Sequence, residues 1–216
     1  AGSRIVKACS FRLFKSLDDL VGRSDLSRAE VQILSTSGAL KSLVGNRYQA
    51  SWQSLAVRRT TGLFKGVGRE GPIPLLPVPE EGKEIVADYA SLGFTLGRHP
   101  LSLLRPYLGD YVLAETLPSL SQSTRVVFCG LVIVRQQPKS ANGVMFLTLE
   151  DDTGSVNLVV WRKLLQRYRH VITKAQLLSV EGVIQRESGV IHLIGETFED
   201  RTELLGQLDF ASRDFR

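Results

Sequence analysis

Arg135, Gln136, Gln137, Lys139, Ser140 and Asn142 lie close together, no acid interrupts them, and Gly143 closes the run. Cations, amides and a hydroxyl in this density can donate to phosphate oxygens, and the glycine lets the backbone follow a ligand. Flat side chains that could stack on bases follow at Phe146 and Trp161. Arg162 stands beside Trp161, with Lys163, Arg167 and Arg169 just beyond, and Arg186 and His192 come later. Arg23 and Arg28 are the N-terminal cations of the same type. The chemistry on offer is attraction to a polyanion and stacking on its bases.

Catalytic chemistry has little to work with. Glu150, Asp151 and Asp152 are consecutive in a turn, whereas a two-metal site needs carboxylates converging on ions about 4 Å apart. His99 precedes Pro100 and reads as a helix cap or packing residue, since no nucleophile or acid partner is implied beside it. No phosphate-binding Gly-Lys motif and no nucleophile elbow is present. Cys9 and Cys129 lack metal-ligand spacing and do not suggest a disulfide framework, which fits a reducing cytoplasm.

Charge is distributed unevenly along the 216 residues. Residues 1–70 carry 12 Lys or Arg against 5 Asp or Glu, while residues 121–200 carry 9 against 8. A clustered basic excess is the electrostatic footprint of a phosphate-backbone partner. No apolar run reaches the length of about 20 residues that spans a bilayer, and the first ten residues do not form a signal peptide.

These side chains must be positioned by two kinds of structure. Residues 1–60 read as short helices. Ser16 and Ser27, each followed three positions on by Asp19 or Glu30, have capping-box form, Gly38 marks a helix end, and Tyr48 to Val57 reads as a further helix. Four glycines and four prolines crowd residues 61–80, which read as a linker. Its Gly66-Val67-Gly68 step has the form of a phosphate-holding turn, but no helix follows. Ile85, Val86, Tyr89 and Leu92 place a helix over residues 81–93, and Leu101 to Tyr107 a second.

From residue 124 the hydrophobic period changes from helix to strand. Arg125–Val134, with Gly130 as a bulge or coil, Val144–Leu149 and Val156–Trp161 are expected strands. Arg162–Thr173 is an expected helix, and Leu177–Gln185 and Val190–Phe198 are strands joined by Glu187-Ser188-Gly189. Three strands, a helix and two strands is the order of an OB-fold barrel, which binds single strands over its second and third strands. The expected fold is α+β: a helical module over 1–60, linker and short helices over 61–120, the barrel over 121–200 and a tail over 201–216. Alternation does not say which face of 144–149 is inside, because Phe146 and Thr148 share one side and Met145, Leu147 and Leu149 the other. Trp161 abuts a helix start, where an aromatic can seal the barrel instead of stacking.

Several segments carry a family resemblance. Leu92-Gly93-Phe94-Thr95-Leu96-Gly97-Arg98-His99-Pro100-Leu101 resembles the LGFxLxxHPL segment of bacterial family C DNA polymerases. Gly143 to Gly154 is similar to the start of their C-terminal OB domain, and Ser16-Leu17-Asp18-Asp19-Leu20 through Ser37-Gly38-Ala39-Leu40 to their helix-hairpin-helix region. Val134-Arg135-Gln136-Gln137-Pro138 and Ser212-Arg213-Asp214-Phe215 look like the error-prone, damage-inducible branch.

The resemblance implies a C-terminal portion, with Phe215-Arg216 as the natural end and Ala1 inside the first helical hairpin. It implies a cytoplasmic, Mg-dependent nucleotidyltransferase for translesion synthesis in SOS mutagenesis, a part of DNA replication and repair. The catalytic aspartates would lie in an upstream palm, leaving this stretch non-catalytic and without a cofactor of its own. The helical part would grip duplex, and the barrel would hold single-stranded template of a primer-template or dock a partner protein. The implied partners are DNA and an inactive Y-family-like mutagenesis subunit, which links the polymerase indirectly to the sliding clamp. Gln207-Leu208-Asp209-Phe210 resembles a clamp-binding peptide one residue short.

Overall fold

The computed structural model describes residues 1–56, 74–139, 142–187 and 189–208. The linker segment 61–73 with its Gly66-Val67-Gly68 step, Ser140, Ser188, Asp209-Phe210 and Ser212 to Phe215 lie outside the described residues. The chain divides into two compact units, Ala1–Leu96 and Gly97–Arg216.

The first unit is helical, with α1 (Gly2–Cys9), α2 (Leu17–Ser24), α3 (Arg28–Thr36), α4 (Lys41–Val44), α5 (Arg47–Leu55) and α6 (Glu81–Leu92). At α3 the capping box is complete: Ser27 accepts from the Glu30 amide, and Glu30 accepts from the Ser27 amide. That amide and then Arg4 hold the Glu30 carboxyl at about 2. At α2 only half of the box forms. Ser16 accepts from the Asp19 amide, but the Asp19 carboxylate turns to Lys15 N, Arg12 and Arg23. The predicted helix 48–57 begins at Arg47, because Asn46 caps it by accepting from the Gln49 amide at 2.8 Å. Leu17, Leu20, Val21, Leu26, Val31, Leu40 and Ala50 form the small apolar core.

A buried polar latch extends this core. Arg47 and Asp88, both nearly inaccessible, pair directly, and Glu84 lies 3.4 Å from the same guanidinium. Asp88 also accepts from Thr95 Oγ1 and Leu96 N at 3.2 Å each, so one carboxylate joins α5, α6 and the turn after Gly93. Burial alone would raise the Asp88 carboxyl. The Leu96 amide, Arg47 and Thr95 outweigh it and hold the carboxyl below its ordinary value of 3.8.

The second unit opens with α7 (Pro100–Leu108), and His99 is its cap: Nδ1 accepts from Leu101 N at 3.2 Å. A 3-10 turn spans Ala114–Ser119. Five strands follow: β1 (Arg125–Gln136), β2 (Met145–Glu150), β3 (Ser155–Val160), β4 (Leu177–Glu187) and β5 (Val190–Asp200). They close into a barrel in the order β1-β2-β3-β5-β4. The first half of β1 pairs with β4 and its second half with β2, the coiled arrangement that lets one strand serve two neighbours. The only parallel contact among the described residues, β3 with β5, shuts the sheet.

The run 162–173 forms two short helices, α8 (Arg162–Arg167) and α9 (Arg169–Lys174), where one was predicted. The break at Tyr168 sets its ring edge-on to Phe198, with centroids 5.3 Å apart, while Ile172 and Ala175 plug the barrel end. Phe128, Leu147, Leu149, Leu158, Leu178, Val180 and Leu193 fill the interior. Cys9 and Cys129 are free thiols, and burial pushes the Cys129 thiol up to about 12.

Of the bulge or coil expected at Gly130, the register slip lies elsewhere, between Val132 and Val134, while β1 changes partner from β4 to β2 beside Gly130. Gly130 is needed for close approach, since a Cβ there would sit 2.7 Å from Phe128 and 3.0 Å from Leu149. A Cβ on Gly182, at the β4–β5 irregularity, would meet the Ile194 carbonyl oxygen at 2.3 Å.

Two outcomes are expected. Gly182→Ala should destabilise the barrel by about 2–3 kcal/mol in denaturant unfolding, as overpacking against backbone forces the strands apart. Asp88 has a depressed pKa, so its stabilisation is complete above about pH 4 and is lost as pH falls through the folded value. Acid titration of unfolding should show this loss, and Asp88→Asn should start less stable at neutral pH and lose less on acidification.

Candidate nucleic-acid interface

Burial along β2 settles its two faces. Leu147 and Leu149 are buried in the core and Met145 packs against it, so Phe146 and Thr148 point outward, with Phe146 37% exposed. On β3 the core takes Val156, Leu158 and Val160, which turns Asn157 and then Trp161 outward. Trp161 is 52% exposed. It caps α8 through its extended backbone and leaves its ring free, which corrects the expectation that it seals the barrel. Ile172 and Ala175 already fill that end.

The strand registers assemble outward residues into rows. Val134 pairs with Thr148, Thr148 with Asn157, and Asn157 with His192, one row across four strands. Gln136 pairs with Phe146 in the next row. Together they line a groove of about 260 Å³ whose walls are Val134, Gln136, Phe146, Thr148, Asn157 and His192, with Leu147 and Leu158 at its floor.

Arg135 is not a loop cation. β1 runs two residues beyond its apolar segment, so Arg135 pairs with Leu147 and points to the opposite side from Gln136. There its guanidinium donates to Ile172 O at 2.9 Å and to Ala175 O, satisfying carbonyls at the end of α9. Desolvation pulls its pKa below the ordinary value. Arg186 is likewise engaged, donating to Pro118 O and Leu120 O at 2.7 Å each. In the first unit Arg23 donates to Arg12 O at 2.9 Å, to Ala8 O and to Asp19, and lies over the Phe14 ring. All three cations are committed to backbone carbonyls, and Arg23 to a carboxylate as well.

The remaining predicted residues are exposed. Lys139 and Asn142 stand on the loop after β1, with Asn142 at φ +48° and Gly143 at φ +83°. Arg162 lies along that loop: a methyl at Gly143 would be 3.0 Å from Arg162 Cδ, and the positive φ there also favours glycine. Arg28, in the helical unit, is exposed in the first turn of α3. Asn157 was missed from the sequence. Its signal is a lone amide between Val156 and Leu158, in a segment otherwise apolar from Val156 to Trp161.

The acids after β2 separate. Asp151 is buried and accepts from Thr153 N, Thr153 Oγ1, Gly154 N and Ala114 N. Asp152 pairs with Arg105 at 2.6 Å, and Glu150 lies 3.6 Å from His99. They do not converge, and among the described residues no group of three or more His, Cys, Asp or Glu gathers as an ion site. These residues do not fit a two-metal centre. No described helix is long and apolar enough to cross a membrane.

A closed five-stranded barrel of this order and helix placement is an OB-fold, and residues 126–201 match the family described as OB-fold nucleic acid binding domain. Along its whole length the chain is similar to bacterial error-prone DNA polymerases. The one from Alkalilimnicola ehrlichii is 44% identical over 217 residues, covering 100% of this chain and 21% of the relative. Those from Pseudomonas savastanoi pv. phaseolicola and Ralstonia nicotianae are 44% and 43% identical over 99% and 100% of this chain. The chain spans about a fifth of the length of these relatives. A solved asparaginyl-tRNA synthetase from Pyrococcus horikoshii overlaps 44% of this chain and 23% of its own, at 20% identity and a TM-score of 0.38.

Replacing Arg135 by Leu should therefore cost the barrel about 2 kcal/mol, the scale of charge-assisted hydrogen bonds to buried carbonyls. Thermal unfolding should show it, and the salt dependence of any DNA binding should stay as in the parent.

Proposed function

We propose that this chain is a DNA-binding, non-catalytic part of an error-prone DNA polymerase and that its barrel holds single-stranded template. The observation that carries this is the outward face of β2 and β3. There Phe146 and Trp161 are exposed beside Gln136, Thr148 and Asn157, with Lys139, Asn142 and Arg162 at the adjoining loop. Aromatic rings accept bases of any sequence by stacking, and the flanking cations supply phosphate contacts. The whole-length similarity to error-prone polymerases supports DNA as the polyanion. The helical unit, with exposed Arg28 and a net basic sequence, is proposed as a helix-hairpin-helix grip on duplex.

The full polypeptide is proposed to carry out translesion synthesis in damage-induced mutagenesis in the cytoplasm. Its Mg-binding aspartates would lie outside this stretch, consistent with the divergence of Glu150, Asp151 and Asp152. The clamp would be reached through the mutagenesis subunit, since Leu208, one of the two apolar residues of the clamp-like peptide, is buried. Protein docking as a main role is favoured by one observation. β4 and β5 carry Glu181, Glu187, Glu196, Glu199 and Asp200, of which Glu181 and Glu196 pair with Arg125 and Glu199 with Arg201, and the remaining acidic excess suits a basic protein partner.

Fluorescent single-stranded, duplex and primer-template DNA titrated at two salt concentrations tests the proposal. Phe146→Ala and Trp161→Ala should each weaken single-strand binding by about 1–3 kcal/mol. Lys139→Ala with Arg162→Ala should flatten the salt slope by about one unit per lost contact. Absence of binding to any DNA at low salt would overturn the proposal and leave docking as the chain's role.

A further inference from the structure

Two sets of polar residues in this chain contrast. Arg23, Arg135, Arg186, Asp151 and Asp152 are held by backbone or by an ion partner. Gln136, Thr148, Asn157 and His192 are different: none of their side chains hydrogen-bonds to another described residue. All four line the one groove, and Phe146, which makes no ring contact with another aromatic among the described residues, forms its side. His192 in particular leaves Nδ1 buried without a partner. A buried polar atom without a partner is unfavourable, and this one belongs to a residue that lines the groove.

The spacing of these groups suits a flat ligand. Thr148, Asn157 and His192 form a row whose neighbouring strands lie about 4.8 Å apart. Phe146 is one register step away on the same face, within diagonal reach of Asn157. A planar group resting on the Phe146 ring would thus present its edge to an amide, an imidazole and a hydroxyl, all free to donate or accept.

We infer that the groove is a niche for a single nucleobase of a bound DNA strand, stacked on Phe146 with its hydrogen-bonding edge read by Asn157 and His192. It rests on the DNA-binding role proposed above and adds to it. Stacking platforms and phosphate contacts alone are indifferent to sequence, whereas an amide beside an imidazole distinguishes the donor and acceptor patterns of the four bases. The barrel therefore has a base preference at one template position.

The test uses the whole 216-residue chain and the four homopolymeric DNA strands, each about 16 nucleotides long so that one barrel is filled. The parent should favour its best base over its worst by about tenfold, the scale of one edge-recognition contact. Asn157→Ala, and His192→Phe, which keeps the ring packing but removes the nitrogens, should each bring the four affinities within about twofold of one another. The salt slope should not move. Equal parental affinity for all four strands would overturn the niche while leaving the DNA-binding role intact. So would a preference unchanged in both variants, or a uniform loss for all bases accompanied by a lower Tm. No binding of any strand by the parent would sink both.

Discussion

The parallel pairing of β3 with β5 is the contact on which the rest of the second unit depends. Asn157, Leu158 and Val159 meet His192, Leu193 and Ile194 there, and without that seam the sheet has two open edges. Parallel pairing joins segments far apart in the chain, so its loop-closure cost is met only when the interior is filled at the same time. Leu158 and Leu193, opposite one another on the inner face, supply that filling, and the backbones of β4 and β5 close in at Gly182. Gly195, on β5 itself, leaves room for the Phe198 ring, against which Tyr168 of the helical plug packs.

The same seam composes the outer face. Each residue it buries has a neighbour that it turns out, so Asn157 and His192 come side by side because Leu158 and Leu193 do. The groove is thus a by-product of core packing and is rigid for the same reason the core is. Its polar side chains are held in place by strands rather than by hydrogen bonds, which leaves their donors and acceptors free for an occupant. The loop cations differ. Lys139 stands on the loop after β1 and Arg162 opens α8, and both are exposed to a phosphate backbone.

The helical unit is held by another device. Its apolar core is small, and the Arg47–Asp88 latch compensates by tying three segments through one carboxylate. Such a pair is costly to desolvate and is stable only while its further hydrogen bonds are made. The turn after Gly93 makes two of them, which gives the Phe94-Thr95-Leu96 segment a structural reason for its sequence.

Much of this was legible in the residues themselves. Ser27 with Glu30 and His99 before Pro100 announce helix starts, because capping is a local bargain between a side chain and amides within three positions. The strand, helix and turn order of residues 125–200 follows from hydrophobic period and turn residues, and the barrel order follows from that. What stayed hidden was everything that depends on contacts between distant segments. Arg135 reads as a phosphate clamp until the end of α9 arrives to take its guanidinium, and Asn157 reads as an interruption until β5 brings His192 beside it. A strand apolar on both sides, such as β2, does not declare its inner face, because alternation orients side chains only relative to one another. Only the closed barrel, with Leu147 and Leu149 inside, decides that Phe146 faces out.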